Sequence, residues 1–124
     1  MREELVKILQ EKYPTIFLQN LYFECEDGWF SIIQDLCEEI LKVDISCRFK
    51  SSGAKEKFGG LRFYLENQDY ETECEYSNQI QKILMKYEKQ SFSICEFCGN
   101  ETDCKNIKYY MKNFCSTCKN KNNL

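Results

Sequence analysis

Cys95-Glu96-Phe97-Cys98 and Cys115-Ser116-Thr117-Cys118 form two C-x-x-C pairs that are separated by sixteen residues. This spacing is typical of a four-thiolate zinc site, in which each pair supplies two ligands from one tight turn. The glycine that follows Cys98 suits the sharp bend of such a turn, because glycine adopts positive φ at little cost. The sequence therefore predicts one structural Zn²⁺ ion with four ligands: Cys95, Cys98, Cys115 and Cys118.

The same ligand set argues against catalysis at this site. Four protein ligands fill a tetrahedral zinc ion and leave no open coordination position for water or substrate. Neither pair is expected to follow a strand and begin a helix in a βαβ unit, as a thioredoxin-like redox motif does. Cys104 is a fifth thiol in the same segment, and it is an alternative ligand that could replace one of the four.

The rest of the chain predicts an α+β fold with a separate C-terminal module. Residues 1–90 are expected to form an α+β body, because 43% of the chain is hydrophobic and a segment of this length can bury a core. Residues 91–124 are too few to do so without a metal ion. We therefore expect a zinc-ribbon-like module at 91–124, packed on the body.

Three helices are predicted in the body from apolar residues at helical spacing. They are expected at residues 2–12, from Asp27 to about Leu41, and in a third segment that ends near Gln90. Asp27 is a good candidate for the N-cap of the second helix, because its carboxylate can accept a hydrogen bond from a free N–H in the first turn.

Two strands are predicted from alternating apolar and polar residues, at 43–49 and 61–66. We expect them to pair as an antiparallel hairpin with a long polar loop at 51–57, and the helices to pack on this small sheet. The segment from residue 15 to 23 is expected to be irregular or extended. Residues 107–111 are predicted as a strand of the zinc ribbon.

The run KEKFGGLRFY at residues 55–64 is the most distinctive stretch outside the cysteines. Basic side chains beside glycines and aromatic rings could grip a phosphate or stack on a base. We favour instead a turn or bulge at the glycine pair, with Phe58 and Phe63 packed inward. The outer sheet face then carries a basic-aromatic patch, which is our candidate binding surface: Arg48, Lys50, Lys55, Lys57, Arg62 and Tyr64.

Charge and composition favour a binding protein over an enzyme. The net charge is −3 and the isoelectric point about 5.1, so no general positive field attracts nucleic acid. The sequence has no histidine, which removes the commonest catalytic acid and base, and we expect no enzymatic activity. A metal-dependent nuclease could use Glu24, Glu26 and Asp27, although acidic residues at the start of a helix explain this cluster as well.

Cysteine usage points to a reducing compartment. The chain has nine cysteines, an odd number, and those outside the two pairs lie mostly in apolar-periodic segments, as reduced core thiols do. Met1-Arg2-Glu3-Glu4 leads directly into an amphipathic helix instead of a secretory signal, and the apolar runs are too short to cross a bilayer. We expect a cytoplasmic protein without a membrane partner.

Gly28-Trp29-Phe30, the run at residues 55–64 and the two cysteine pairs together resemble a small family of tailed-phage and prophage proteins of unassigned function. The resemblance covers about residues 28–118, and the run at 55–64 is its most specific part. A Trp commonly precedes the last cysteine pair in that family, whereas Lys112-Asn113-Phe114 stands here. The resemblance implies a phage-encoded protein made in the cytosol of a bacterial host, and it brings no catalytic residues with it.

These features together predict a non-enzymatic phage accessory protein that binds a host or phage macromolecule. Inhibition of a bacterial defence system, as by anti-CRISPR proteins, is one such function. The expected partner is a host protein or a nucleoprotein complex. The alternative is a zinc-ribbon protein that binds nucleic acid through the basic-aromatic patch and the ribbon.

Overall fold

The computed structural model describes residues 1–68, 77–101, 105–106 and 113–121. Helices pack against a three-stranded sheet in this part of the chain, which confirms the predicted α+β class. The elements in chain order are α1 (Glu3–Lys12), β1 (Phe17–Glu24), α2 (Phe30–Val43), β2 (Phe49–Lys57), β3 (Gly60–Asn67), α3 (Ser77–Ser91), β4 (Lys105–Asn106), β5 (Asn113–Phe114) and α4 (Ser116–Lys121).

Helices α1, α2 and α3 lie where apolar periodicity predicts them, but Asp27 has a different role from the one predicted. A 3-10 turn, Asp27–Trp29, precedes α2, and no side chain caps that helix. The Asp27 carboxylate instead accepts a hydrogen bond from the backbone N–H of Arg2 at 2.8 Å. It also pairs with the Arg2 guanidinium at 2.7 Å, so Asp27 anchors the start of α1.

The sheet is mixed, with the strand order β1-β2-β3. Strands β2 and β3 pair in an antiparallel hairpin, as predicted, but β2 differs from the predicted strand and a two-residue turn replaces the long loop. Strand β1, which arises from the segment expected to be irregular or extended, pairs with β2 in parallel. Parallel neighbours need a crossover connection, and α2 supplies it. Strands β1 and β2 with α2 therefore form a βαβ unit, and β2 continues into the hairpin with β3.

The prediction for the first hairpin strand is wrong, because β2 runs through the residues that were expected to form a polar loop. Val43 closes α2 and Ile45 is 83% exposed, so the apolar alternation of this segment does not form a strand. Strand β2 lacks the alternation of large apolar and polar residues that is typical of a strand, because two of its core positions hold small side chains. Ser51 and Ala54 are both fully buried. Its register against β3 also shifts just after Ser51, which breaks the period of two.

Asp44 shapes the turn between α2 and β2. Its buried carboxylate accepts hydrogen bonds from the backbone N–H groups of Arg48 at 3.0 Å and Phe49 at 2.8 Å. Because Asp44→Ala deprives both donors of this acceptor, we expect it to lower the free energy of unfolding by about 2 kcal/mol, measured by urea denaturation. Asp35→Ala removes an exposed carboxylate from α2 and is the control. Equal losses in the two variants would contradict this role for Asp44.

The turn of the hairpin has only two residues, Phe58 and Gly59, and both have positive φ, of 55° and 84°. Two such residues in succession form the type I′ turn that matches the twist of paired strands. Phe63 is buried as predicted, whereas Phe58 is 59% exposed instead of packed inward. The turn geometry directs Phe58 away from the core, and an aromatic ring stands at the tip of the hairpin.

The core lies between the sheet and the helices. Helices α2 and α3 pack on each other, α3 packs on β3, and α1 packs on β1. None of the helices in the described part of the chain has the length and apolar character that crossing a bilayer requires. Among the described residues, the largest fully buried apolar side chains are Trp29, Tyr13, Leu9, Ile16, Ile33, Leu36, Ile40, Leu61 and Ile80.

Candidate metal centre

The first cysteine pair lies on a tight turn shortly after α3. The backbone N–H of Gly99 donates to the Cys95 carbonyl oxygen at 2.9 Å, and the Cys95 N–H donates to the Asn100 carbonyl oxygen at 2.8 Å. Gly99 has a φ of 82°, which residues with a Cβ rarely adopt. The glycine after Cys98 therefore has the role that the sequence predicts for it.

The second cysteine pair is set by the start of α4. Cys115 immediately precedes this helix, and its carbonyl oxygen accepts a hydrogen bond from Lys119 at 2.9 Å. The helical turn brings the backbone N–H of Cys118 to 3.5 Å from the Cys115 sulphur. The ring of Phe97, within the first cysteine pair, stacks on that of Phe114, which precedes the second pair. The ring centroids are 4.5 Å apart, so the two turns also contact each other through these side chains.

All four predicted ligands come together at one point. The Sγ atoms of Cys95, Cys98, Cys115 and Cys118 lie within 4.8 Å of one another, with 3.6 Å between those of Cys98 and Cys115. A tetrahedral ion with bonds of about 2.3 Å to sulphur needs sulphur–sulphur separations of about 3.8 Å. The cluster fits this geometry and could hold a metal ion. Cys104, the alternative ligand, and the predicted strand at 107–111 lie outside the described residues.

The electrostatics of the cluster also favour a bound cation. Burial opposes ionisation of Cys95, but the backbone N–H groups of Cys115, Cys98 and Phe97 outweigh it and lower its pKa to about 7. For Cys98 and Cys118, burial and the neighbouring cysteines raise the pKa. Four adjacent thiolates repel one another, and a divalent cation offsets that repulsion. A divalent cation at the centre of the cluster would therefore stabilise the thiolate forms of Cys98 and Cys118.

The first cysteine pair is joined directly to the turn between β1 and α2. The backbone N–H of Gly28 donates to the Glu96 carbonyl oxygen at 2.6 Å, and that of Glu26 donates to the Glu96 carboxylate at 3.0 Å. The indole N–H of Trp29 donates to the Ile94 carbonyl oxygen at 3.1 Å. Glu96 and Trp29 are fully buried. These contacts cross the predicted boundary between residues 1–90 and 91–124.

The acidic corner at the end of β1 does not form a second metal site among the described residues. Glu24 pairs with Lys55 at 3.8 Å, and Asp27 pairs with Arg2. Glu26 contributes its backbone N–H to the Glu96 contact. In the part of the chain that the structure describes, the four cysteines are the one group placed to share an ion.

The predicted basic-aromatic patch is only partly assembled. The strand register places Lys50, Lys55, Arg62 and Tyr64 on the outer sheet face, while Lys57 lies at the exposed end of β2. Arg48 precedes β2 and is half-buried.

The cations of this patch are largely engaged. Lys55 faces Glu24, and Arg62 pairs with Glu88 of α3 at 2.7 Å. The Lys50 ammonium donates to the Thr15 carbonyl oxygen. The face therefore carries less free positive charge than its lysines and arginines indicate.

A cleft opens on this outer face between two tyrosines. Tyr22 of β1 and Tyr64 of β3, 66% and 41% exposed, both lie opposite Gly53 of the middle strand. A space of about 370 Å³ lies on this face, lined by Tyr22, Glu24, Ser52, Lys55 and Tyr64. Lys55 and Tyr64 belong to the predicted patch. Tyr22 was missed, because the parallel pairing of β1 with β2 leaves no local signal in the sequence.

Comparison with known proteins finds no matching family model, no similar curated protein and no similar solved structure. The resemblance to phage proteins therefore stays an expectation.

Proposed function

We propose that this protein is a non-enzymatic phage accessory protein that acts in the bacterial cytoplasm by binding a host or phage macromolecule. The observation that carries the proposal is the cleft on the outer sheet face, flanked by Tyr22 and Tyr64. It would act by binding its partner in a fixed stoichiometry, without catalytic turnover. Inhibition of a bacterial defence system is one function that such binding could have. The phage origin depends on the resemblance of the run at residues 55–64, which forms the β2–β3 hairpin.

The ion that we propose for the cysteine cluster is one structural Zn²⁺. Tetrahedral four-thiolate sites are typical of zinc or of iron–sulphur centres, and two C-x-x-C pairs on tight turns are typical of zinc ribbons. Cys95 and Cys115 are buried, and four ligands leave the ion no open position. The role of the zinc is then to hold the C-terminal segment against the turn before α2.

The cleft has the properties of a contact surface for a protein. Exposed tyrosines provide rigid contact area with a polar tip, and they are enriched among residues that dominate binding energy. The cleft volume of about 370 Å³ is large enough for one or two side chains of a partner. The adjacent Glu24–Lys55 pair offers both a donor and an acceptor at its margin. These features support a polar partner surface that inserts an aromatic or aliphatic side chain.

Nucleic-acid binding is the second candidate, because exposed tyrosines on a sheet can also stack on bases. The net charge of −3 and the ion pairs of Lys55 and Arg62 favour it less. Binding to single-stranded DNA or RNA that weakens steeply with salt, and weakens further in Lys55→Ala, would support this candidate over the first.

Tyr64→Ala is the variant that tests the contact surface. We expect the tagged protein to retain a stoichiometric partner from a lysate of its bacterial host, and Tyr64→Ala to weaken the purified complex by about 2 kcal/mol, or roughly thirtyfold. Isothermal titration calorimetry measures both affinity and stoichiometry. Met85→Ala removes an exposed apolar side chain from α3 and is the control. Multiple-turnover chemistry on the partner, or equal binding by Tyr64→Ala, would contradict the proposal.

A further inference from the structure

Phe58 has a backbone conformation that phenylalanine rarely adopts. Its φ of 55° lies in the left-handed region, where the Cβ of a residue crowds the following carbonyl oxygen. The first position of a type I′ turn favours asparagine, aspartate or glycine, and Gly59 already occupies the second. Backbone strain of this kind is concentrated at functional sites, where the surrounding structure maintains it. The conformation of Phe58 therefore works against the stability of the hairpin.

The Phe58 side chain is also directed into solvent. It is 59% exposed, so most of its apolar surface gains nothing from the core of this chain. Phe92, which is 44% exposed, lies directly behind the turn, since a Cβ added to Gly60 would be 2.7 Å from its ring. Single exposed apolar residues are common on protein surfaces. Two exposed rings around a strained turn are a feature that binding explains.

The hairpin holds Phe58 in a fixed position. The backbone N–H of Gly59 donates to the Glu56 carboxylate at 2.9 Å. On the other side of the turn, the backbone N–H of Leu61 donates to the Ser91 hydroxyl of α3 at 2.8 Å. A ring on a rigid support loses little conformational freedom on binding, so more of the free energy of its burial contributes to affinity.

We propose that Phe58 is an anchor residue that inserts into an apolar pocket on the surface of a protein partner. Aromatic side chains that fill such pockets dominate the binding energy of many interfaces. Lys57 is exposed next to the ring, so a pocket that fits this tip has carboxylates or carbonyl oxygens at its rim. The anchor rests on the proposed function in one respect, since it requires the macromolecular partner of that proposal.

One partner can contact both the cleft and the hairpin tip. Phe58 lies five residues beyond Gly53, or about 16 Å along the direction of β2. An interface of standard size, with about 800 Å² on each side, is about 30 Å across. The two sites are opposite in shape, because the cleft receives a side chain of the partner and the partner receives Phe58. The partner surface then carries both a projecting side chain and an apolar pocket.

Phe58→Asn separates binding from folding, because it removes the ring and supplies a residue that the turn favours. We expect it to unfold about 3 °C above the wild type and to raise the dissociation constant of the complex purified from the host lysate roughly thirtyfold. Phe58→Ala also lacks the ring but keeps the strained backbone, so it should bind as weakly and unfold at a lower temperature than Phe58→Asn. Ile45→Asn removes an 83% exposed apolar side chain at the opposite end of β2 and is the control.

Photo-crosslinking detects the contact without a measurement of affinity. p-Benzoylphenylalanine in place of Phe58 should form a covalent adduct with the partner when the full-length, zinc-loaded complex is irradiated, whereas the same residue in place of Ile45 should not. Unchanged affinity of Phe58→Asn, or absence of the adduct, would overturn the role of Phe58 and leave the cleft standing. Normal affinity of Tyr64→Ala beside weak binding by Phe58→Asn would contradict the cleft and support the anchor. A Phe58→Asn variant less stable than the wild type would show, without any partner, that the ring serves the fold, and would overturn the proposal.

Discussion

Cys95→Ser is expected to abolish stoichiometric zinc binding and to lower the free energy of unfolding by about 4 kcal/mol or more. Loss of a structural metal is among the few changes with effects of this size, because metal binding to a four-thiolate site is itself folding free energy. Cys95 is also fully buried, so the substitution places a hydroxyl group in the protein interior. Thermal unfolding with and without a zinc chelator, together with metal analysis, measures the effect.

Cys47→Ser is the matched control for this variant. Cys47 is a partly exposed thiol between α2 and β2, and it lies outside the cluster. The same exchange of sulphur for oxygen there should leave zinc content unchanged and cost less than about 1 kcal/mol. If Cys95→Ser kept its zinc and its stability while remaining reduced, the assignment of Cys95 as a ligand would be wrong.

Gly28→Ala is expected to lower the free energy of unfolding by about 3 kcal/mol. An added Cβ would lie 2.6 Å from the Glu96 carbonyl carbon and would overlap the carbonyl oxygens of Cys95 and Glu96. These are backbone atoms, so the clash cannot be relieved by a side-chain rotation. The change also disturbs the hydrogen bond from Gly28 to Glu96. Because this contact positions the first cysteine pair, we expect weaker zinc binding as well, measured by competition with a chromophoric chelator.

Gly60→Ala separates the effect of this site from the general cost of replacing a glycine. Its added Cβ would lie 2.7 Å from the ring of Phe92, an exposed side chain that can turn away. We expect a loss below about 1 kcal/mol and unchanged zinc affinity. Equal losses in the two glycine variants would show that the junction between Gly28 and Glu96 has no special role.

The features that could be predicted from the sequence are those with a local signal. The spacing of the cysteines predicts a cluster that the structure brings together, since two tight turns define most of its geometry. The alternation of Leu61, Phe63 and Leu65 predicts β3, because these side chains point into the core. The apolar stripe of α2 predicts its buried face in the same way.

The features that were missed depend on pairs that are distant in the chain. Glu96 stands between two ligands and looks like a spacer, yet it is fully buried and bonded to Glu26, seventy residues earlier. Gly28 looks like an ordinary helix entrance, although its missing side chain allows the close contact with the cysteine turn. No periodicity marks such contacts, because they arise only once β1, α2 and α3 have packed. The one sequence feature that could have indicated this contact is the glycine directly before the buried Trp29.

The outer sheet face shows why charge is hard to interpret from sequence. Arg62 was predicted to belong to a free basic patch, but Glu88 of α3 reaches it across the sheet edge. Lys55 likewise meets Glu24 of a strand that was not predicted. The aromatic part of the patch is the more informative, since Tyr64 and the unpredicted Tyr22 together form the cleft on which the proposed function depends.

X-ray absorption spectroscopy at the zinc edge, combined with metal analysis of the reduced protein, shows whether four cysteines hold one structural zinc ion that joins the C-terminal segment to the body. We expect about one zinc per chain, with four sulphur neighbours at about 2.3 Å and no oxygen or nitrogen ligand. A folded, reduced protein without metal, or a zinc ion with fewer than four sulphur neighbours, would contradict this structural zinc site.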